Sequence, residues 1–534
     1  MPPASRALPM SFLLALAAAA PAARASVSAP SDELAAKVAA FEKAFHSAPK
    51  RRRSAEERTE ALALLAGLDA PPVAQALVRA YEEIEAEVVA AQERKQEVDE
   101  RIASIVRGQE FAPTRTLPAA TRQAFQQLKA EALALDAGIV ELLGVEAALL
   151  QAVERLQGDE SMGWLVTNVT GSTKLPLSLK VSAARTAGDR GEAMAGPLMK
   201  ALARATSAEE LAVLLEGIAR CRLAAQPCAP IVLAALAHED AAVREKAALA
   251  LAGIAAPEAI EPLVARLEIE AGATRRRIGI ALEILTRQNL GDSAHAWREW
   301  LAREGAEYVA GRRPLGGGTS TLAAALTAPP SGAKSVYYYG IPQEGRSIVY
   351  VIDCSGSMVV SAKRPEYAGG SPVDAGPESR MEATKDALIE VLGKLTRDQR
   401  FDVVAFNDLP YVFSPRLLAG TPGEVRKAQE WVRGLAGASS TNIHDALDEA
   451  FRLAGRGLRD KHYRSAVDTI FLLTDGTPTN VDGSLDSTDR VLQAVRRWNP
   501  ARHVVIHTIG IGREINVPFL QQLARENGGR FVQQ

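Results

Sequence analysis

The sequence predicts a multidomain chain: an α-helical hairpin or coiled coil and an α-solenoid, followed by a C-terminal α/β unit with a mostly parallel central sheet. Three observations predict it. With 534 residues, the chain is too long for one hydrophobic core. Up to about residue 305 its apolar positions recur at three- and four-residue steps, the period of amphipathic helices. From Tyr337 onward, continuous apolar runs such as "RSIVYVID" and "VDTIFLLTD" alternate with helical patterns, as buried parallel strands with crossover helices do.

The first thirty residues carry Arg6, an apolar stretch from Met10 to Ala20, and a small-residue end. Ala23-Arg24-Ala25 fits a cleavage pattern that leaves Ser26 as the mature start, so residues 1–25 read as a secretory signal peptide. The apolar run is about half the roughly 20 residues that a spanning helix needs. An uncleaved anchor is the alternative. No other segment reads as membrane-spanning, so the expected location is secreted or periplasmic.

Residues 26–160 read as a helical hairpin or coiled-coil region. The run "QALVRAYEEIEAEVVAAQERKQEVDERIASIV" is followed by a break, "RGQEFAPTRTLPAATR", and by a second run from Gln123 to Gln157. Such a pair is a spacer, a docking surface or a self-association element. Arg51, Arg52 and Arg53, like Arg275, Arg276 and Arg277, fall inside helical patterns and read as solvated faces. With 62 Lys+Arg against 64 Asp+Glu, a net charge of -2, the balance argues against a nucleic-acid partner.

Residues 161–305 hold a loose repeat. Pro197, Pro230 and Pro262 open "GPLMKALAR", "APIVLAALA" and "EPLVARLEI", 33 and then 32 residues apart, and a second helix follows each. A helical pair cannot bury its apolar face alone, so the pairs must stack. The pattern resembles HEAT-like repeats, most closely at "DAAVREKAALAL". "QNLGDSAHAWREWLAREG", with Trp297 and Trp300, reads as a capping helix, and residues 306–336 as a flexible linker. Of the three cysteines, Cys221 and Cys228 read as buried thiols of helical repeats, with a disulfide between them as the alternative.

In the last unit, 337–534, two apolar strands end in aspartate, at Asp353 of "VYVIDCSGSM" and Asp475 of "TIFLLTDGTPT". Ligands of open α/β sheets bind at the carboxyl ends of the strands. Between the two, "GASSTNIHDAL" sets Thr441 in a loop before a helix. Asp353, Ser355, Ser357, Thr441 and Asp475 therefore form a candidate cluster that offers oxygen alone. Hard oxygen ligands suit Mg²⁺, Mn²⁺ or Ca²⁺. Three of the five are neutral hydroxyls, which leaves a bound cation attractive to a partner's carboxylate.

No activated nucleophile or adjacent base accompanies the cluster. "CSGSM" is not a nucleophile elbow, and there is no H-E-x-x-H. His503 and His507 lie four apart on an expected strand and read as packing or surface residues. Gly356, Asn442, His444 and Gly476 are expected beside the cluster, and Asp445 on an exposed helix face.

These residues resemble the von Willebrand factor type A domain. The family's D-x-S-x-S stands as Asp353-Cys354-Ser355-Gly356-Ser357, its loop threonine as Thr441, and its second aspartate as Asp475. The resemblance covers roughly the last third of the chain and implies a Rossmann-like fold. It also implies a metal ion-dependent adhesion site for Mg²⁺ or Mn²⁺ and a protein partner bound through an acidic side chain. The long stretch "VVSAKRPEYAGGSPVDAGPESR" after the motif departs from the pattern, as does a short or missing last helix. The expected function is an exported, non-enzymatic binding protein on a helical scaffold. The alternatives are a scaffold with a silent metal site and, from its helical-repeat architecture, an RNA-binding protein similar to the Ro ribonucleoproteins.

Overall fold

The computed structural model describes residues 31–47, 51–106, 118–270, 272–316, 336–343, 345–359, 379–437, 440–453, 467–475, 477–479, 488–512 and 515–534. The expected signal peptide, most of the linker, the stretch after the serine motif and Gly476 lie outside them. A helical N-terminal region is followed by an α/β unit with a mostly parallel sheet, as the sequence predicts.

The helical region begins with α1 (Ser31–Phe45) and α2 (Ala55–Ala61). Ser54 starts α2 with a capping box: its hydroxyl accepts from the Glu57 N–H, and the Glu57 carboxylate accepts from the Ser54 N–H. Arg51, Arg52 and Arg53 precede this cap and are not helical, contrary to the sequence reading. Arg51 bonds Glu57, and Arg52 bonds Glu87. Two helices, α3 (Pro71–Val106) and α4 (Ala119–Glu154), then pack along each other. They are the two arms of the expected hairpin.

Helix pairs follow: α5 (Asp159–Asn168), α6 (Leu177–Asp189), α7 (Glu192–Leu202), α8 (Ala208–Cys221), α9 (Ala229–Ala235), α10 (Ala241–Gly253), α11 (Ile260–Ile269) and α12 (Gly272–Thr286). The second helices α6, α8, α10 and α12 stack in sequence into one layer. Their approach is close enough to require glycine. A Cβ on Gly217 would stand 2.6 Å from the Ala184 carbonyl oxygen, and one on Gly253 would stand 2.3 Å from that of Ala219. After three of these helices the chain turns through a left-handed residue, at Arg222, Ala255 and Arg287. These recur at the spacing of the prolines. Cys221 and Cys228 are buried free thiols, not a disulfide. Trp297 and Trp300 of α13 (Ala294–Trp300) are buried edge to face with centroids 5.4 Å apart, and α14 (Ala306–Val309) follows.

The α/β unit opens on the short pair β1 (Tyr337–Tyr338) and β2 (Ile341–Pro342). Its main sheet comprises β3 (Ser347–Asp353), β4 (Arg400–Phe406), β5 (Pro410–Val412), β6 (Leu418–Ala419), β7 (Thr469–Thr474), β8 (Val505–Gly510) and β9 (Phe531–Gln533). The order is β5-β4-β3-β7-β8-β9, with β6 also on β4. β4, β3, β7, β8 and β9 run parallel, while β5 and β6 are antiparallel to β4. Alternate residues of β3 face opposite layers. Ile348, Tyr350 and Ile352 pack on α15 (Arg380–Leu392) and α16 (Pro422–Arg433). Val349 and Val351 pack with α17 (Ile443–Leu453), α18 (Thr488–Trp498) and α19 (Val517–Glu526). His507 lies on β8 with its ring stacked on Phe471 at 4.8 Å, whereas His503 precedes the strand.

Asp402 of β4 is a buried polar exception in this sheet. Its Oδ1 accepts from the N–H groups of Val403 and Ser414, while Oδ2 is buried without a hydrogen-bond partner. Burial pushes its carboxyl up to about 8, so the folded protein holds a proton that the unfolded chain releases near 3.8. The stability tied to this group is therefore full below pH about 4 and is lost as pH rises toward about 8. Asp402→Asn is expected to flatten that loss, gaining on the order of 5 kcal/mol over the native protein at pH 8 but only about 1 kcal/mol at pH 4.5. Urea midpoints at the two pH values check this, and equal shifts at both would refute it.

Candidate metal centre

The chain places β4 on one side of β3 and then crosses to lay β7 on the other, so the strand order reverses between β3 and β7. A crevice opens at the carboxyl ends of strands flanking such a reversal. Asp353 ends β3 there, and Thr474 ends β7 with Asp475 directly after it.

Four of the expected residues form one hydrogen-bonded chain. Asp353 is fully buried; its Oδ1 accepts from the Ser355 N–H at 2.7 Å and its Oδ2 from the Thr474 hydroxyl at 2.6 Å. The Ser355 and Ser357 hydroxyls are 3.0 Å apart, and Ser357 donates to Asp475 Oδ1 at 2.6 Å. Ser355 and Asp475 are buried, whereas Ser357 is exposed, so the chain of oxygens runs from the interior to the surface. A one-turn helix over Gly356–Val359 directs both serines, anchored by the buried Met358.

Thr441 is held through its backbone. Its N–H donates to the Thr479 hydroxyl at 2.6 Å, and its carbonyl accepts from the Thr479 N–H at 2.8 Å. This clasp ties the Thr441 loop to the segment that follows Asp475. Asn442 is buried: its N–H donates to the Asn407 carbonyl at 2.7 Å, and its Oδ1 accepts from the Asp445 N–H at the start of α17. His444 lies 2.8 Å from Asp445 and 3.2 Å from Arg490, with its ring 5.3 Å from that of Trp498. The structure thus engages His444 with α18.

Burial first, and then the charge of Asp475, push the Asp353 carboxyl up to about 7. Burial also raises Asp475, opposed by Ser357 and Arg380. All the donors are oxygens, two carboxylates and the rest hydroxyls, a set that fits a hard divalent cation. Among the described residues, no group of three or more His, Cys, Asp and Glu side chains is arranged to hold a metal ion.

Sequence reasoning missed three partners. Thr474 and Thr479 flank Asp475 and are legible only once β7 is placed. Arg380 was hidden by the intervening stretch: capped by Ser379, it opens α15 and reaches Asp475 Oδ2 at 2.8 Å.

Asp445 is not on the exposed face that the sequence predicts, because the helical hairpin covers it. Lys95 of α3 lies 3.2 Å from both Asp445 oxygens and 2.7 Å from Asp99. Burial opposes the Lys95 charge, but Asp445, Asp136 and Asp99 outweigh it and raise its pKa. Lys129 of α4 bonds Asp408 at 2.7 Å, and Leu409 and Tyr411 pack with Val98, Ile102, Phe125 and Leu128 of the hairpin. The hairpin thus docks beside the loop that carries Thr441.

Among known proteins, the von Willebrand factor type A domain family matches residues 373–532, beginning after β3 and the serine motif. Inter-alpha-trypsin inhibitor heavy chain H4 of Bos taurus is 25% identical over 221 residues, 41% of this chain and 21% of that protein. Heavy chain H4 of Homo sapiens is 27% identical over 198 residues, 36% of this chain and 19% of its own. The chain spans about a fifth of the length of these curated relatives. Among solved structures, von Willebrand factor type A from Catenulispora acidiphila gives a TM-score of 0.29 at 23% identity, covering 36% of this chain and 40% of that one. The conserved hypothetical protein BatB from Bacteroides thetaiotaomicron gives 0.26 at 15% identity, covering 36% and 90%. The C-terminal region of this chain, behind its helical N-terminal region, is a von Willebrand factor type A domain.

Proposed function

We propose that this protein is an exported, non-enzymatic binding protein that grips a protein partner through a divalent cation. Asp353, Ser355, Ser357, Thr441 and Asp475 would hold the cation, Mg²⁺ or Mn²⁺ before Ca²⁺. When bound, it supplies a Lewis-acidic position that an acidic side chain of the partner can occupy. The single observation that carries the reading is the oxygen chain from buried Asp353 through Ser355 and Ser357 to Asp475, exposed at Ser357. Binding over hydrolysis is supported by His444, the nearest histidine in sequence to Thr441, which is engaged with Asp445 and Arg490. Export rests on the reading of residues 1–25. Among the described residues, no helix is long and apolar enough to cross a membrane.

The test uses the full chain, because the isolated C-terminal unit would expose the surface that the hairpin covers. Mg²⁺ at a hundredfold excess over its Kd is expected to stabilise the protein by about 2.7 kcal/mol, since a ligand of the native state alone shifts unfolding by that much. Asp353→Asn is expected to abolish the shift. A flat Mg²⁺ and Mn²⁺ calorimetric titration of the native protein would sink the reading. Partner capture that survives EDTA would favour a scaffold with a silent metal site.

A further inference from the structure

We infer that Arg380 is a specificity-determining residue of this site, which trades cation affinity for capture of a ligand carrying two carboxylates. The inference rests on the proposed metal reading and deepens it.

The two carboxylates of the donor set, Asp353 and Asp475, cancel a divalent cation, so by themselves they leave a loaded site neutral. Arg380 Nη1 lies 2.8 Å from Asp475 Oδ2, the oxygen that Ser357 does not use. With both carboxylates ionised and Arg380 counted, the cation-free site carries a net charge of one negative unit, and the loaded site one positive unit. Cation binding therefore reverses the sign of the rim, and only the loaded state attracts an acid electrostatically.

Geometry makes the guanidinium a grip as well as a charge. A Cβ on Gly512 would stand 2.8 Å from Arg380 Cζ and 3.0 Å from Nε and Nη2, so the group rests directly on the Gly512 backbone. Gly512 has φ +103, a conformation that a side chain would strain, and its N–H is fixed on the Gln534 carbonyl at 2.8 Å. Asp475 is fully buried at its side chain, but that of Arg380 is 33% exposed. Ser357 and Arg380 bond the two oxygens of one Asp475 carboxylate, so both side chains stand at the same rim. A planar guanidinium with several donors receives a carboxylate in two-point fashion. The ligand class is thus an acidic peptide segment with two neighbouring carboxylates, one for the cation and one for Arg380.

The cost falls on the cation, since a fixed positive charge beside a dication weakens its binding. One substitution should move two readouts in opposite directions, which loss of a merely structural contact would not do. The experiment uses the full chain as wild type, Arg380→Gln and Arg380→Lys. Calorimetry with MgCl₂ alone is expected to show binding about tenfold tighter in Arg380→Gln and near wild type in Arg380→Lys. Mn²⁺-enhanced water-proton relaxation then follows displacement of metal-bound water by glutarate, a diacid, or by acetate. Wild type is expected to prefer glutarate, and both variants to lose that preference, because lysine keeps the charge but not the fork. Equal Mg²⁺ affinity in wild type and Arg380→Gln, or an unchanged glutarate preference, overturns the inference and leaves the metal reading standing. Absence of Mg²⁺ binding in both overturns the two together.

Discussion

Asp445→Ala is expected to destabilise the full chain by about 3 kcal/mol at neutral pH, measured by urea unfolding. Its carboxylate and Lys95 are nearly buried, with side chains 12% and 10% exposed. Breaking a buried ion pair from one side costs about 3–5 kcal/mol, because the surviving charge keeps its desolvation penalty. The lower end applies here, since Asp99 remains on Lys95 at 2.7 Å. The Asp445 pKa is held well below the usual range: burial opposes the charge, but Lys95 and then His444 prevail. Replacing both partners, as Lys95→Met with Asp445→Leu, is expected to recover much of the loss. A loss below about 1 kcal/mol for the single variant would show that the hairpin does not dock as described.

This residue also marks where sequence reading ran out. Strand ends at Asp353 and Asp475, the serine spacing and Thr441 were legible because each depends on short-range pattern: an apolar run, its abrupt end and a loop before a helix. The helix pairs were legible in their proline spacing, which the left-handed turns at Arg222, Ala255 and Arg287 share. Docking was not legible. Lys95 and Asp445 are 350 residues apart, and each reads locally as an ordinary charge on an amphipathic helix. Burial of such charges is decided by the partner surface, which no window of sequence contains. Arg380 escaped for a related reason, because a lone arginine opening a helix carries no signal until the sheet places Asp475 beside it.

The second large effect is expected at Arg497→Leu, again about 3–5 kcal/mol of lost stability. Arg497 of α18 is 12% exposed, bonds Glu85 of α3 at 2.6 Å, and also bonds Glu146 of α4. Glu146 in turn accepts from the buried Tyr81 hydroxyl. Without the guanidinium, Glu146 keeps a buried charge with one neutral donor. Arg497→Lys is not expected to rescue, because the two carboxylates lie on different helices and are met by separate Nη atoms of one fork. Glu146→Gln combined with Arg497→Leu should recover part of the loss by removing the stranded charge. Arg497 and Lys95 tie different points of one interface, so their losses discriminate two pictures of the molecule. If hairpin and α/β unit unfold as one body, each variant keeps a single transition at a lower urea midpoint. If docking is the weakest link, Arg497→Leu splits the transition, and the combined loss with Asp445→Ala falls short of the sum, because the second substitution acts on an interface already open.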